Sequence, residues 1–262
     1  MAPDTNWETD DMITVIAGAT FREAVRSRTF VALIIIYTCG VLLSRVVGWV
    51  SSTDGNLVTT DLVLSLQSVI GVLVAVATGT ALVQSEIQQK TLYTILSRPV
   101  SRWQFVVGKF LGLAAGLAVG QVVMLVIALS YLWITGASVH GWLVLAGLLT
   151  IVEVLVMAAV SLCWTALSSP LLAAVLGLAT YALGHAVATL PDLINHLKGW
   201  QQILASSLAC LVPNLGMFTY RNQAAYALPL PWTDLIQSLV YGLLWIALLI
   251  AITVGVVRRK QL

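Results

Sequence analysis

The chain has 262 residues, of which 59% are hydrophobic and 9% are charged. Average soluble proteins carry about 25% charged residues, so 13 basic and 11 acidic residues are too few to cover a soluble globule of this length. The composition excludes a soluble enzyme, a secreted disulfide-stabilised domain and a disordered chain, and it predicts an all-α, polytopic membrane protein. The net charge of +2 does not indicate nucleic acid as a partner.

Residues 12–28, at the start of the chain, are predicted to form a helix in the cytoplasmic membrane interface. Ile13, Ile16 and Phe21 recur at roughly helical spacing, and arginines follow in the second half of the segment. This pattern suits a helix whose cations lie near anionic headgroups. An ordinary basic flank of the first span is the alternative. Residues 1–11 are expected to be a disordered acidic tail ahead of one transmembrane domain over residues 12–262.

Six apolar segments are long enough to cross a bilayer, since a transmembrane helix takes about 20 residues. We place these spans at about residues 30–50, 62–83, 105–134, 141–167, 170–190 and 234–257. Inside hydrocarbon each backbone polar group must be paired within its own segment, so each span is predicted to be a helix.

Basic residues indicate which ends of the spans face the cytoplasm. Ten of the 13 basic residues fall on one side if six spans alternate: Arg22, Arg26, Arg28, Lys90, Arg98, Arg102, Lys109, Arg258, Arg259 and Lys260. Both termini are therefore expected in the cytoplasm, in agreement with an even number of spans.

The connection between the second and third spans is the most informative stretch of the sequence. Leu92, Ile95 and Leu96 share one face of a short predicted helix, which Pro99 ends. Ser101 is then expected to cap the third span, with Gln104 as its capping-box partner. The residues alone leave two interpretations open, namely a helix that docks on a soluble partner and a loop that rests on the membrane surface.

Four glycines in the third span stand at strict four-residue intervals: Gly108, Gly112, Gly116 and Gly120. Overlapping G-x-x-x-G units allow a neighbouring helix to approach closely. The partner helix belongs either to the same chain or to a second copy.

Charged residues within the spans are functional candidates, because an unpaired carboxylate in hydrocarbon costs about 2.5–3.5 kcal/mol on insertion scales. Glu153 lies near the middle of the fourth span, where a transport role, a protonated acid and a structural hydrogen bond are all open. Arg45 in the first span either reaches the outer interface or faces a polar pathway. His185 is interpreted as a satisfied interfacial histidine rather than a ligand.

The long connection before the last span is expected to form re-entrant or surface helices on the outer side, over residues 200–229. Residues 200–212 are mostly apolar but too short to span, and Pro213 and Asn214 interrupt them. A seventh span is the alternative, but it would place the basic C-terminal residues outside.

Together these features resemble the membrane subunit of an ABC transporter, in the ABC-2-type permease family that includes the nitrous-oxide-reductase-associated permeases. The resemblance is strongest from Glu86 to Lys109, where E-x4-T-L-x3-L-S-R-P-V-S-R-x5-G-K is similar to the family signature. The segment from Phe21 to Phe30 is similar to the family's N-terminal elbow helix, and Leu211 to Leu215 resembles its motif before the last span. Lys90 departs from the family, where many members have glycine.

The resemblance implies a cytoplasmic coupling helix between spans 2 and 3 that contacts an ATPase through Glu86, Thr91, Leu92, Ile95, Leu96, Ser97, Arg98, Pro99 and Arg102. It also implies two cytoplasmic ABC ATPase subunits, a second permease copy or paralogue, contact with membrane lipids, an accessory subunit in some systems, and export. The first, second and fifth spans would line the pathway. The expected location is the bacterial inner membrane.

The sequence lacks G-x-x-x-x-G-K-[ST], so ATP and Mg are expected on the partner ATPase, and this chain is expected to hold no cofactor or metal and to have no catalytic residue. An ATP-independent secondary transporter is an alternative, although no convincing internal repeat is present. A membrane-embedded enzyme is a weaker one, since H-E-x-x-H and G-x-S-x-G are absent.

The cargo stays open among lipids, ions, peptides, small drugs and a metal-related species, as does a purely mechanical role. The choice between homodimer and heterodimer is also open.

Overall fold

The computed structural model describes residues 5–50, 55–89, 101–137, 139–188, 212–226, 228–229 and 231–259, with backbone alone for residues 5–11, 82–89, 102 and 222. All regular structure in these ranges is helical. In chain order the helices are α1 (Thr5–Arg26), α2 (Arg28–Val50), α3 (Gly55–Gln89), α4 (Arg102–Ile134), α5 (Gly141–Leu167), α6 (Pro170–Val187), a 3-10 turn (Leu215–Phe218), α7 (Arg221–Ala225) and α8 (Trp232–Arg259).

Six of the described helices are long and apolar enough to cross a membrane, namely α2, α3 as far as Ala81, α4 from Trp103, α5, α6 and α8. The predicted all-α architecture with six spans is therefore confirmed. Helix α5 has the predicted bounds, whereas α3 and α4 extend beyond their apolar segments.

Helix α1 begins at Thr5, inside the segment that we expected to be a disordered tail. Glu8, Asp10 and Asp11 lie in the first two turns of this helix. Only Ser27 separates α1 from α2, and its hydroxyl accepts a hydrogen bond from the Phe30 N–H at 3.1 Å.

Helix α4 starts at the expected residue. The backbone N–H of Ser101 donates to Gln104 Oε1 at 3.0 Å, which is the side-chain-to-cap half of the predicted capping box.

Helices α3 and α5 form the centre of the bundle. In each of them 67% of the most apolar window is buried, against 22% in α2, 17% in α6 and 22% in α8. The peripheral helices instead expose large apolar side chains, such as Ile35, Leu43, Leu171 and Leu244. This distribution suits a bundle surrounded by lipid, whose hydrocarbon solvates such side chains.

The two ends of the bundle differ in composition. At one end, which we call the basic end, Phe105, Lys109, Leu162, Thr253 and Val257 line a common cavity, and Arg258 and Arg259 follow in α8.

At the other end, which we call the loop end, the first half of α3, the end of α4 and the start of α5 meet residues from 212–226. Leu64, Leu132, Leu143 and Ala224 share one apolar cluster there. In chain order the segment 90–100 lies between α3 and α4, and the first turn of α4 carries Phe105 of the basic end.

Candidate functional site

Glu153 is the central residue of the candidate site. It lies midway along α5, and its side chain is only 2% exposed. Ser68 of α3 donates its hydroxyl to Glu153 Oε1 at 3.0 Å. His185 Nε2 of α6 lies 2.9 Å from the same oxygen, within hydrogen-bond distance. The carboxyl group thus joins three helices, and these bonds offset part of its desolvation.

Tyr181 holds two of these partners in place. Its hydroxyl is 3.1 Å from Ser68 Oγ, and its ring meets the His185 ring edge-on with centroids 4.7 Å apart. Tyr181 and His185 are four residues apart on α6, so both side chains point the same way. We call Ser68, Glu153, Tyr181 and His185 the carboxylate cluster.

A second polar group lies nearer the loop end. Arg221 of α7 donates from Nη1 to Ser65 Oγ at 2.5 Å, and its Nε is 3.9 Å from Asp61 Oδ1. Ser65 is one turn of α3 from Ser68, which connects this pair to the carboxylate cluster. The ion pair is partly exposed, so its contribution to stability is small.

A small cavity of about 20 Å³ lies between these two groups. Such a volume holds about one water molecule. Its lining consists of Leu64, Ser68, Ala146, Thr150, Glu153, Phe218, Thr219, Tyr220 and Arg221. The cavity is thus bounded by the carboxylate on one side and by the arginine on another.

Residues 212–225 border the cavity at the loop end through Phe218, Thr219, Tyr220 and Arg221, and we call this segment the roof. The roof is tied to α8 by three hydrogen bonds. The Asn214 N–H donates to the Tyr241 hydroxyl at 2.8 Å. Ser238 Oγ donates to the Met217 carbonyl at 2.7 Å and lies 2.9 Å from the Tyr220 hydroxyl.

Apolar contacts complete the attachment of the roof. Leu215 and Phe218 are buried, and Gly184 and Gly242 give them room. A Cβ atom at Gly184 would lie 2.7 Å from Leu215 Cγ, and one at Gly242 would lie 3.2 Å from Phe218 Cε1.

The four regularly spaced glycines of α4 face α1 and the start of α2. Gly108 faces Ile16, Gly112 faces Ala17 and Thr20, Gly116 faces Ala24, and Gly120 faces the Phe30 ring. We call this surface the glycine groove. Residue numbers rise together in both partners, so α1 runs alongside α4 in the same direction over about three turns. These contacts lie within one chain. That α1 lies in a membrane interface stays a prediction.

Comparison with known protein families identifies the chain over nearly its whole length. A family model described as ABC-2 family transporter protein matches residues 14–261. The chain belongs to the ABC-2 transporter family. It is a multi-pass membrane permease subunit of an ABC transporter, a kind of subunit that is not itself catalytic and that works with ATPase partners. A search of curated proteins finds no match.

Most of the segment that was expected to contact the ATPase lies outside the described residues of the permease: Thr91, Leu92, Ile95, Leu96, Ser97, Arg98 and Pro99. Glu86 is near the end of α3 and Arg102 begins α4, both described by their backbone alone. The coupling helix therefore stays a prediction. The first half of the expected re-entrant region, residues 200–211, also lies outside the described part.

Arg45 of the permease is placed away from the carboxylate cluster. Its Nη1 donates to Asn56 Oδ1 at the start of α3, at 2.8 Å, and Arg45 does not line the cavity. Across the residues that the structure describes, no group of three or more His, Cys, Asp or Glu side chains is arranged to hold a metal.

The sequence did not connect Ser68, Tyr181, His185 and Arg221 of the permease with Glu153. Two weak signals were present. Ser65 and Ser68 lie three residues apart on α3, and Tyr181 and His185 lie four apart on α6, each pair on one helix face. Spacing within a helix does not tell which other helix such a polar face meets.

Proposed function

We propose that the permease couples ATP hydrolysis by separate ATPase chains to export of a substrate across the bacterial inner membrane. Two cytoplasmic ATPase subunits bind ATP and Mg, and a second permease copy or a paralogue completes the pathway. The basic end, with both termini, faces the cytoplasm. The observation that carries this proposal is the family match over residues 14–261, together with six spans.

Helix α3 offers a direct mechanical connection for such coupling. It is a single helix of 35 residues, about 52 Å long at 1.5 Å per residue. One end adjoins the segment 90–100, and the other half carries Asp61, Ser65 and Ser68. A displacement at Gln89 therefore reaches the cavity through one rigid element, which supports a two-state change driven from the ATPase.

The glycine groove supports the same proposal from the other side of the segment 90–100. Helix α4 begins directly after it, and α4 is closely packed against α1. A push on this segment is thus delivered both to α3 in the centre of the bundle and to the joined pair of α1 and α4. Only α3 lines the cavity, and α4 does not. A movement of α3 relative to the pair of α1 and α4 would therefore change the shape of the cavity.

The first test is co-purification of the permease with a candidate ABC ATPase in nanodiscs, followed by ATP hydrolysis with and without the permease. We expect a stable complex with altered turnover. Replacement of Leu92 and Leu96 by aspartate should abolish the effect on turnover, because it removes the apolar face that is predicted to enter the ATPase.

Thr94→Asp provides the matched control, since Thr94 lies off the predicted apolar face. It should leave the change in turnover intact. Equal turnover with the wild-type permease and with the Leu92 and Leu96 variant would refute the coupling role. A well-folded permease that associates with no ATPase would instead favour ATP-independent transport.

A further inference from the structure

We propose that the cavity beside Glu153 is a binding site for a protonated primary amine, whose ammonium group replaces a water molecule against the carboxylate. This goes beyond the proposed function, because such binding requires neither ATP nor an ATPase. Four observations carry it: the free oxygen of Glu153, the charges around the cavity, its size, and its lining.

The carboxyl group of Glu153 is only half used by its neighbours. Ser68 and His185 both bond to Oε1, and no described residue donates a hydrogen bond to Oε2. Glu153 is nonetheless 98% buried, its exposed fraction being 2%, and it lines the cavity. An oxygen that no described residue engages is open to a donor that enters the cavity, and a hydrogen bond from a charged donor to a carboxylate is one of the stronger kinds.

The charges around the cavity favour a cation over an anion. Glu153 and Arg221 are the charged residues that line it, and Asp61 lies 3.9 Å from Arg221. Arg221 is already engaged by Ser65 and Asp61, which reduces its capacity to attract an anion. Glu153 has no cationic partner other than His185 among the described residues. An entering ammonium group would therefore donate a charge-assisted hydrogen bond to Glu153.

The size of the cavity selects the kind of cation. About 20 Å³ accommodates a group the size of one water molecule, which an –NH3+ group matches and a quaternary ammonium exceeds. The ammonium has three donors, and the hydroxyl-bearing Ser68, Thr150 and Thr219 line the cavity beside the carboxylate.

Aromatic rings complete the lining. Phe218 and Tyr220 of the roof both border the cavity, and aromatic faces attract cations. The organic tail of the amine would extend past these rings towards the loop end.

The test measures the melting temperature of the permease in nanodiscs whose only lipid is phosphatidylcholine, a lipid without a primary amine. The probe is n-propylammonium chloride, titrated at fixed pH against equal concentrations of sodium chloride and of n-propanol. We expect a saturable rise in melting temperature with the amine alone. A rise of equal size with propanol would overturn the proposal.

Glu153→Gln is the decisive variant, since it keeps an oxygen for Ser68 and removes the charge. We expect its half-saturating amine concentration to be at least tenfold that of wild type. Asp234→Asn is the matched control, because it removes an exposed carboxylate at the same end of the bundle and should leave binding unchanged. An unaltered response in Glu153→Gln, or an equal loss in Asp234→Asn, would refute the site.

Ala146→Val tests the cavity without touching any charge. The added methyl groups fill a space of one water, so amine binding should weaken as in Glu153→Gln, and unchanged binding would contradict the proposal. Nanodiscs that also contain phosphatidylethanolamine separate a lipid amine from a free one. A headgroup that competes for the cavity raises the half-saturating concentration of the probe, whereas a site reserved for soluble amines leaves it constant.

Discussion

In the glycine groove, α1 and α4 meet through small residues and a few methyl groups, and the contact depends on close approach of two backbones. In the carboxylate cluster, α3, α5 and α6 meet through hydrogen bonds to one acid. Helix α1 carries the charged residues Arg22 and Glu23 on its exposed side. On the side that faces α4, the close contacts leave little room for a larger side chain. The carboxylate cluster borders a cavity the size of a water molecule, but its hydrogen bonds require the polar group of each of its residues.

This difference shows how one membrane bundle combines two ways of fixing helices. Close packing gives a rigid contact, since it gains van der Waals energy all along the helix. A shared acid gives a contact with few discrete bonds, which can be exchanged for bonds to a ligand or to water. The rigid contact lies next to the predicted ATPase segment, and the exchangeable one borders the cavity.

The largest expected effect is that of added volume in the glycine groove. A Cβ atom at Gly112 would lie 2.6 Å from Thr20 Cβ and would also meet the Ala17 carbonyl oxygen. Gly112→Leu should therefore destabilise the permease by about 3 kcal/mol and reduce the monodisperse yield. Gly255→Leu is the control, because nothing lies within 4 Å of a Cβ at Gly255. Similar yields of the two variants in size-exclusion chromatography would contradict tight packing of α1.

Removal of the acid should have the next largest effect. Glu153→Ala leaves Ser68 and His185 without their shared acceptor and enlarges the cavity, so we expect a loss of about 2–3 kcal/mol in thermal unfolding. Glu153→Gln retains an acceptor and should lose less. If alanine and glutamine are equally destabilising, hydrogen bonding by the oxygen is not what joins the three helices.

Removal of one hydroxyl from the carboxylate cluster should have a smaller effect. Tyr181→Phe deletes the group that lies 3.1 Å from Ser68 Oγ and leaves the ring against His185, for an expected loss of about 1 kcal/mol. Double-mutant cycles with Ser68→Ala isolate the bond between the two side chains. Strict additivity of the two substitutions would mean that these hydroxyls do not interact.

The smallest effect is expected at the half-exposed ion pair. Arg221→Gln should change stability by less than about 1 kcal/mol, and the difference should shrink at high salt because solvent screens the charges. Unfolding curves at low and high ionic strength provide the measurement. A large effect that does not depend on salt would place Arg221 among the structural residues of the roof.

The sequence predicted the features that depend on local spacing. The sequence placed helix α5 at residues 141–167 and the start of α4 at Ser101 and Gln104. Both predictions succeeded because an apolar run and a helix cap depend only on residues that are close in sequence. Four glycines on one face also indicated a close helix contact, but their spacing left the identity of the other helix open.

The carboxylate cluster was not predictable in this way. Ser68 and Glu153 are 85 residues apart, and His185 is 32 residues beyond Glu153. Their meeting depends on which helices become neighbours and on how each is rotated about its axis. Hydrophobic periodicity is weak evidence for rotation in spans that are apolar on every side, as α5 is.

The attachment of the roof to α8 has a consequence for the biogenesis of the permease. The last span leaves the ribosome after every other part of the cavity has been synthesised, because chains are made from the N-terminus. Tyr241 and Ser238, which hold the roof, lie in that span. Until α8 inserts, the roof therefore lacks the three hydrogen bonds that attach it, whereas Glu153 already has its partners on α3 and α6.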